Sequence, residues 1–386
     1  MDTNNTADEI NAPTKAAARV DQTLFDLVSN INILDAIAPL NYREQRSAFF
    51  SSHYSEEPKF RYRQNNIDQF SLKRGLFNLP VESIEDEDLA QLYICIINSY
   101  IDKIDQYKSV GNTEFLYDSL RYYGEPSEKD MRNAQFILHL PEESYDKSEK
   151  LLNAHDIKML LHGFAEREGY RCDIKVDEAM IANALVSGTT VKINGAAEIS
   201  ETEAMALAHH ELGVHLVTTI NARAQPLNIL SMGCPVNTMT QEGLAILSEY
   251  LAGCMTLKRL KILALRVIAV QSMITEKSFR RTFQLMKEQY GVSDMQAFTI
   301  TARVYRGGGF TKDYLYLQGF HQILNAYENE TDFRYLLAGK TAIDQIALIS
   351  RLIDKRILCA PQLISPAFKA PVGNDSIRTF IAHAIK

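Results

Sequence analysis

The run HHELGVH constrains this chain more than any other feature: it places His210, Glu211 and His215 on one short segment. A helix that offers two imidazoles to one metal ion ordinarily spaces them four apart. Both rings then leave one face, and the glutamate between them activates water. Here the spacing is five. At about 100° per residue, four steps return the second ring to within roughly 40° of the first, whereas five leave it about 140° away. A regular α-helix therefore cannot aim both rings at one ion. A single π-bulge widens the turn and realigns them, and such bulges concentrate at functional sites. Gly213 lies between the histidines, where a residue without a Cβ best tolerates distortion. The segment is expected to be a bulged metal-binding helix.

The rest of the chain sets the frame. With 386 residues there is material for two domains or one large one. A net charge of −7 argues against general nucleic-acid binding, which needs a basic surface to neutralise phosphates. Lys258, Arg259, Lys261 and Arg266 cluster, and read as one wet helix face. The first fifteen residues are polar and acidic, without the apolar core of an export signal. The longest apolar stretch, Ile262 to Ile274, is too short for a bilayer and carries Arg266, so no membrane association is expected. Five scattered cysteines without a CxxC pair fit reduced thiols in a cytoplasmic protein. Cys234 and Cys254 read as small buried hydrophobes.

Apolar spacing predicts helices over Val20 to Ala38, ended by Pro39, and over Asp86 to Lys108, Glu128 to Leu138 and His155 to Glu168. Arg171 to Val176 alternates and Thr189 to Ile193 is β-branched, so both read as strands, joined through a turn or short helix at Asp177 to Ala184. Ser200 and Glu203 have the capping-box spacing and open the motif helix, expected from about Glu201 to Thr219. The fold class is α+β and predominantly helical: a zinc-peptidase-like core with a small sheet preceding the metal helix, whose edge suits strand addition by a peptide. The organisation expected is a disordered tail at 1–18, an N-terminal helical region at 19–150 and a catalytic region at 151–386.

A catalytic zinc site takes three protein ligands and leaves a fourth position for water. Glu242, in TQEGLA, is the best third ligand. It is placed in the first turn of an amphipathic helix carrying Leu244, Leu247 and Leu251. Glu249 is the competitor, as a ligand or as the partner of a ligating histidine's free N–H. Glu211 leaves the helix about 100° from His210, beside the metal, where it suits a general base that then acts as acid. A structural site would be closed instead, by His209 or Cys234 as fourth ligand.

At these residues the chain resembles a known family. HHELGVHLVTTINARAQP followed by TQEGLAILSEYLAG is similar to the bacterial proteins named for their QEGLA motif and for modulating flavohemoglobin expression, and to the microtubule-associated tyrosine carboxypeptidases of animals. Pro39-Leu40-Asn41, Pro58 to Tyr62, Ser119 to Pro126 and Val304 to Gly319 extend the likeness over about residues 20–350. The resemblance implies one zinc ion held by His210, His215 and Glu242, a catalytic Glu211, and removal of a C-terminal residue from a peptide or protein, aromatic in the animal enzymes.

Such an enzyme must grip a terminal carboxylate, which a planar guanidinium does best. Arg306 is the first candidate, because Gly307-Gly308-Gly309 beside it allows close approach of a ligand. Lys312, possible member of a Lys312–Asp313 pair, and Arg223 follow. Tyr305, Tyr314 and Tyr316 are candidates for a side-chain pocket or a phenolic donor, and Asn221 for a contact to substrate backbone. Two other functions fit the motif: a zinc-dependent small-molecule amide hydrolase, and a non-catalytic regulatory zinc protein.

Overall fold

Polar side chains that compete for backbone hydrogen bonds decide where the helices begin. The computed structural model describes residues 10–64, 66–141, 150–178, 180, 182–329 and 332–385. Thr14 accepts from the Ala17 amide and opens α1 (Lys15–Val28), inside the segment expected as a tail; residues 1–9 of that tail lie outside the described residues. The helix expected from Val20 to Ala38 is divided. α1 stops at Val28, and Asn32, accepting from the Asp35 amide, starts α2 (Ile33–Ala36). Ser29, Asn30 and Asn32 favour turns and caps over helix interior, which outweighs the continuous apolar spacing.

The following helices are α3 (Tyr42–Ser51), α4 (Gln69–Phe77), α5 (Glu87–Ser109), α6 (Phe115–Tyr123) and α7 (Glu128–His139). α5 and α7 match the expected spans, capped by Asp86 and by a Ser127–Asp130 capping box. Next come β1 (Leu151–Asn153), α8 (Ala154–Glu168), β2 (Asp173–Asp177), β3 (Ala184–Ser187), β4 (Thr190–Asn194) and β5 (Glu198–Ser200). β2 and β4, the two strands expected, run parallel with Ile174 opposite Val191. β3 was not expected as a strand. It folds back on β4 through the two-residue loop Gly188-Thr189, with Gly188 at φ 60°, a hairpin signal hidden by the shortness of the strand. β1 and β5 pair antiparallel, and their last residues, Asn153 and Ser200, are the N-caps of α8 and of the motif helix.

The motif helix runs as α9 (Glu201–Leu207), a π-helical segment Ala208–Leu216, and α10 (Val217–Arg223). It threads three apolar cores. Leu212 and Leu216 pack with α8 and the strands, Val214 enters the large helical core, and Ala222 joins the core that α1 and α5 share with Leu227 to Cys234. Three-way anchoring fixes the helix in rotation as well as position. The remaining helices include α11 (Ile229–Met232), α12 (Asn237–Leu251), α13 (Leu257–Glu276), α14 (Phe279–Gln284), α15 (Asp294–Tyr305) and α16 (Leu315–Asn329). Among the described residues, no helix is long and apolar enough to cross a membrane.

α12 and α16 cross at glycines. A Cβ on Gly243 would lie 2.5 Å from the Gly319 carbonyl oxygen, and one on Gly319 would meet the Met239 carbonyl. Gly243→Ala is therefore expected to destabilise the fold by about 1–3 kcal/mol through overpacking. It should also weaken metal binding, because Glu242 is the adjacent residue. Thermal melts and metal titration check both effects, and an unchanged melting temperature would count against a crossing at backbone distance.

Candidate metal centre

In a π turn the N–H of residue i+5 meets the carbonyl of residue i, so residues five apart share a face. His210 and His215 are one such step apart, and their ring centroids lie 4.9 Å from each other. The distortion is larger than the single bulge expected: nine residues, Ala208–Leu216, are wound this way. Gly213 has a second reason to lack a side chain, since a Cβ there would come within 3.0 Å of Ser365 Oγ.

Glu242 reaches the same point from α12. That helix begins at Asn237, after Val236 at φ 47°, so Glu242 lies in its second turn and not the first as expected. Its Oε2 is 3.6 Å from His210 Nε2 and 3.6 Å from His215 Nε2. These separations are too long for hydrogen bonds. They fit the edges of a tetrahedron with bonds of 2.0–2.2 Å, about 3.4 Å. All three donors lie within 4.8 Å of one another, and among the described residues they form the group able to hold a metal ion. The two candidates for a closing fourth ligand lie elsewhere: the His209 ring packs edge-on against Phe164, 5.0 Å away, and Cys234 is sealed in the core beside α5.

The outer atoms of these candidate ligands are tied down. His210 Nδ1 meets Glu249 Oε1 at 2.7 Å, and the Arg259 fork grips the same carboxylate at 3.1 and 3.0 Å. Glu249 is thus the partner of a candidate ligand's ring nitrogen and lies outside the three-donor group. Burial pushes its pKa up, but Arg259 and His210 outweigh this and hold it down at about 2. Burial likewise disfavours a charged His210, yet Glu242 and Glu249 raise it to about 10. Glu242 gives its other oxygen, Oε1, to Lys312 Nζ at 2.8 Å. Against the cost of burial, Lys312 and the two imidazoles keep it well below the usual carboxylate range. Glu249→Gln is expected to lower metal affinity by about 10–100-fold, the usual cost of losing a carboxylate behind a ligating imidazole. Competition with a chromogenic chelator measures it.

Beside the donors opens a cleft of about 640 Å³, lined by His210, Glu211, Arg259, Arg266, Arg303 and Tyr316 among others. Arg259 and Arg266 come from the cluster expected to be a wet helix face. Seven residues apart on α13, they share one side, and that side walls the cleft. Arg303, on α15, grips Asp313, with Nη2 to Oδ1 at 3.0 Å. The Lys312–Asp313 pair considered from sequence does not form, since each side chain is drawn to a buried partner of its own.

The other expected substrate residues fall in different places. Tyr316 lines the cleft with Lys312 Nζ 3.5 Å from its hydroxyl. Tyr314 donates to the Tyr123 carbonyl at 2.5 Å, and the Tyr305 hydroxyl lies 3.1 Å from Thr282 Oγ1. Arg223 is exposed near the β3–β4 loop, 3.5 Å from Thr189 Oγ1. Asn221 donates to the Leu337 and Leu363 carbonyls. The Arg306 guanidinium stacks over Phe310, 5.1 Å from the ring centre. The glycines after it serve approach of chain to chain, because a Cβ on Gly307 would lie 2.5 Å from Phe115 Cε1.

Residues 47–386, which include every donor of this centre, match the family described as microtubule-associated tyrosine carboxypeptidase. The chain belongs to that family. No match is found among curated proteins. Among solved structures, this family member is similar to a candidate lipoprotein from Colwellia psychrerythraea, at 14% identity and a TM-score of 0.47. The alignment covers 74% of this chain and 66% of that one.

Proposed function

We propose that this chain is a zinc-dependent metallocarboxypeptidase that removes the last residue of a peptide or protein and favours an aromatic one. The observation that carries this reading is the meeting of His210, His215 and Glu242 within 4.8 Å of one another, with Glu211 lining the adjoining cleft. One zinc ion would be held by those three donors. When bound, it supplies Lewis acidity that polarises a carbonyl and makes water more acidic. Glu211 takes a proton from the water whose oxygen adds to the scissile carbonyl carbon. It passes that proton to the amide nitrogen as the C–N bond breaks, giving a shortened chain with a new carboxylate and a free amino acid. Glu249 and Arg259 keep the His210 ring in register, and Lys312 turns one Glu242 oxygen away so that the other faces the donors.

Substrate features follow from the walls. β3 is one of the two edge strands of its sheet, and Ala182 to Ala184 reach the cleft, which suits main-chain pairing with an extended peptide. A preference for an aromatic last side chain is in keeping with the tyrosine of the family's description. Metal analysis of the purified protein, combined with mass spectrometry of a peptide library differing at the C-terminus, tests the reading. Roughly one zinc per chain is expected, with loss of a single residue from free C-termini. Cleavage at internal bonds, or equal turnover of amidated peptides, would overturn it.

A further inference from the structure

Cations crowd around the cleft, and most have a carboxylate of their own. Arg259 holds Glu249, Arg303 holds Asp313, and Lys312 holds Glu242. Arg266 is the exception. The carboxylate oxygen beside it is Asp313 Oδ2, 4.0 Å from its Nε, and both Asp313 oxygens are already taken by the Arg303 fork. That Nε is buried without a hydrogen-bond partner, and the side chain is only 13% exposed. The guanidinium lies over the Tyr316 ring, 4.9 Å from its centre, and Arg266 lines the cleft. Arg306 also has an unpartnered Nε, but it sits against Phe310 and does not line the cleft.

A buried guanidinium with an unpaired donor is costly unless something completes it. Burial and the neighbouring Arg303 charge bring its pKa down to about 10, which still leaves it charged at neutral pH. The matching group is a carboxylate, which takes two parallel hydrogen bonds from the fork. Position agrees with chemistry. Tyr316 has Arg266 over its ring, and its hydroxyl touches Lys312, which in turn holds Glu242. The open cation and the lysine that holds a candidate metal ligand thus flank one aromatic side chain. We propose that Arg266 receives the terminal carboxylate of the substrate and so restricts this cleft to chain ends. The assignment rests on the carboxypeptidase reading and replaces Arg306 as its anchor.

The test uses a fluorescent hexapeptide ending in tyrosine, as free acid and as amide, titrated into full-length, zinc-loaded Glu211→Gln protein. Anisotropy is expected to show the acid binding about 10–100-fold more tightly, the range for charge-assisted hydrogen bonds. Adding Arg266→Gln should collapse that ratio to near unity while amide binding persists, which also reports a folded cleft. Arg266→Lys, which keeps charge but loses the fork, should give an intermediate ratio and stands in should the glutamine variant not fold. An acid preference that survives both substitutions, or is absent before them, overturns the proposal. Wild-type turnover of the same peptides separates the two readings. If the Arg266-dependent preference is present but neither peptide is hydrolysed, the carboxylate site stands and the carboxypeptidase assignment falls.

Discussion

Glu211→Gln is expected to reduce kcat by roughly 10²–10⁴-fold, the range for loss of a positioned acid–base group. Zinc content should stay as in the parent. Both halves follow from placement. Glu211 lines the cleft beside His210 but stands outside the three-donor group, so removing its charge spares the metal. Glutamine keeps the shape of the side chain and can neither accept the proton of water nor return one to the leaving amine. Kinetics on a peptide with a free C-terminus, together with metal analysis of the same sample, measure both. Turnover within about tenfold of the parent would remove Glu211 from proton transfer.

His215→Ala is expected to abolish turnover by emptying the centre. It leaves Glu242 Oε2 facing His210 alone, and two donors do not make a catalytic zinc site. Zinc binds the folded state, so it should raise the melting temperature of the parent in a concentration-dependent way. The variant should show little such rise. Because His215 is only partly buried, the apo forms of parent and variant should melt close together, and this separates loss of metal from loss of fold. A zinc-induced shift in the variant equal to that of the parent would mean that the donors have been misassigned.

Much of the centre was legible because its signals are local. The five-residue interval between histidines demanded a widened turn, and the chain is π-helical there. Ser200 and Glu203 form the capping box their spacing implied, with both hydrogen bonds made. Glu242 and Glu249, seven apart on one helix face, both reach the histidines, Glu242 Oε2 at 3.6 Å and Glu249 Oε1 at 2.7 Å from His210. What escaped depends on contacts between distant segments. Arg259 and Arg266 belong to a charged stretch that in isolation looks like a solvated face, and only the packing of α13 turns them toward Glu249 and Tyr316. The Gly307 to Gly309 run signals close approach without naming what approaches; here it is Phe115 and the Asn112 carbonyl. Likewise, the Lys312–Asp313 neighbours looked like a pair in sequence, but the buried carboxylate of Glu242 and the fork of Arg303 outcompeted the local contact.

The widened turn also limits how this chain can change. Counting four from His210 ends on Val214, which is fully buried and has no lone pair to offer an ion. A histidine there would put a polar ring into the interior. Deleting one residue from the widened segment would let it close to ordinary α-helical winding while the flanking turns keep their faces, so Thr218 would stay with Gln241 and Asn221 with Leu337. The long and short spacings thus differ by one residue taken up in a local swelling of the coil, and the passage between them is a deletion or insertion there, not an exchange of side chains.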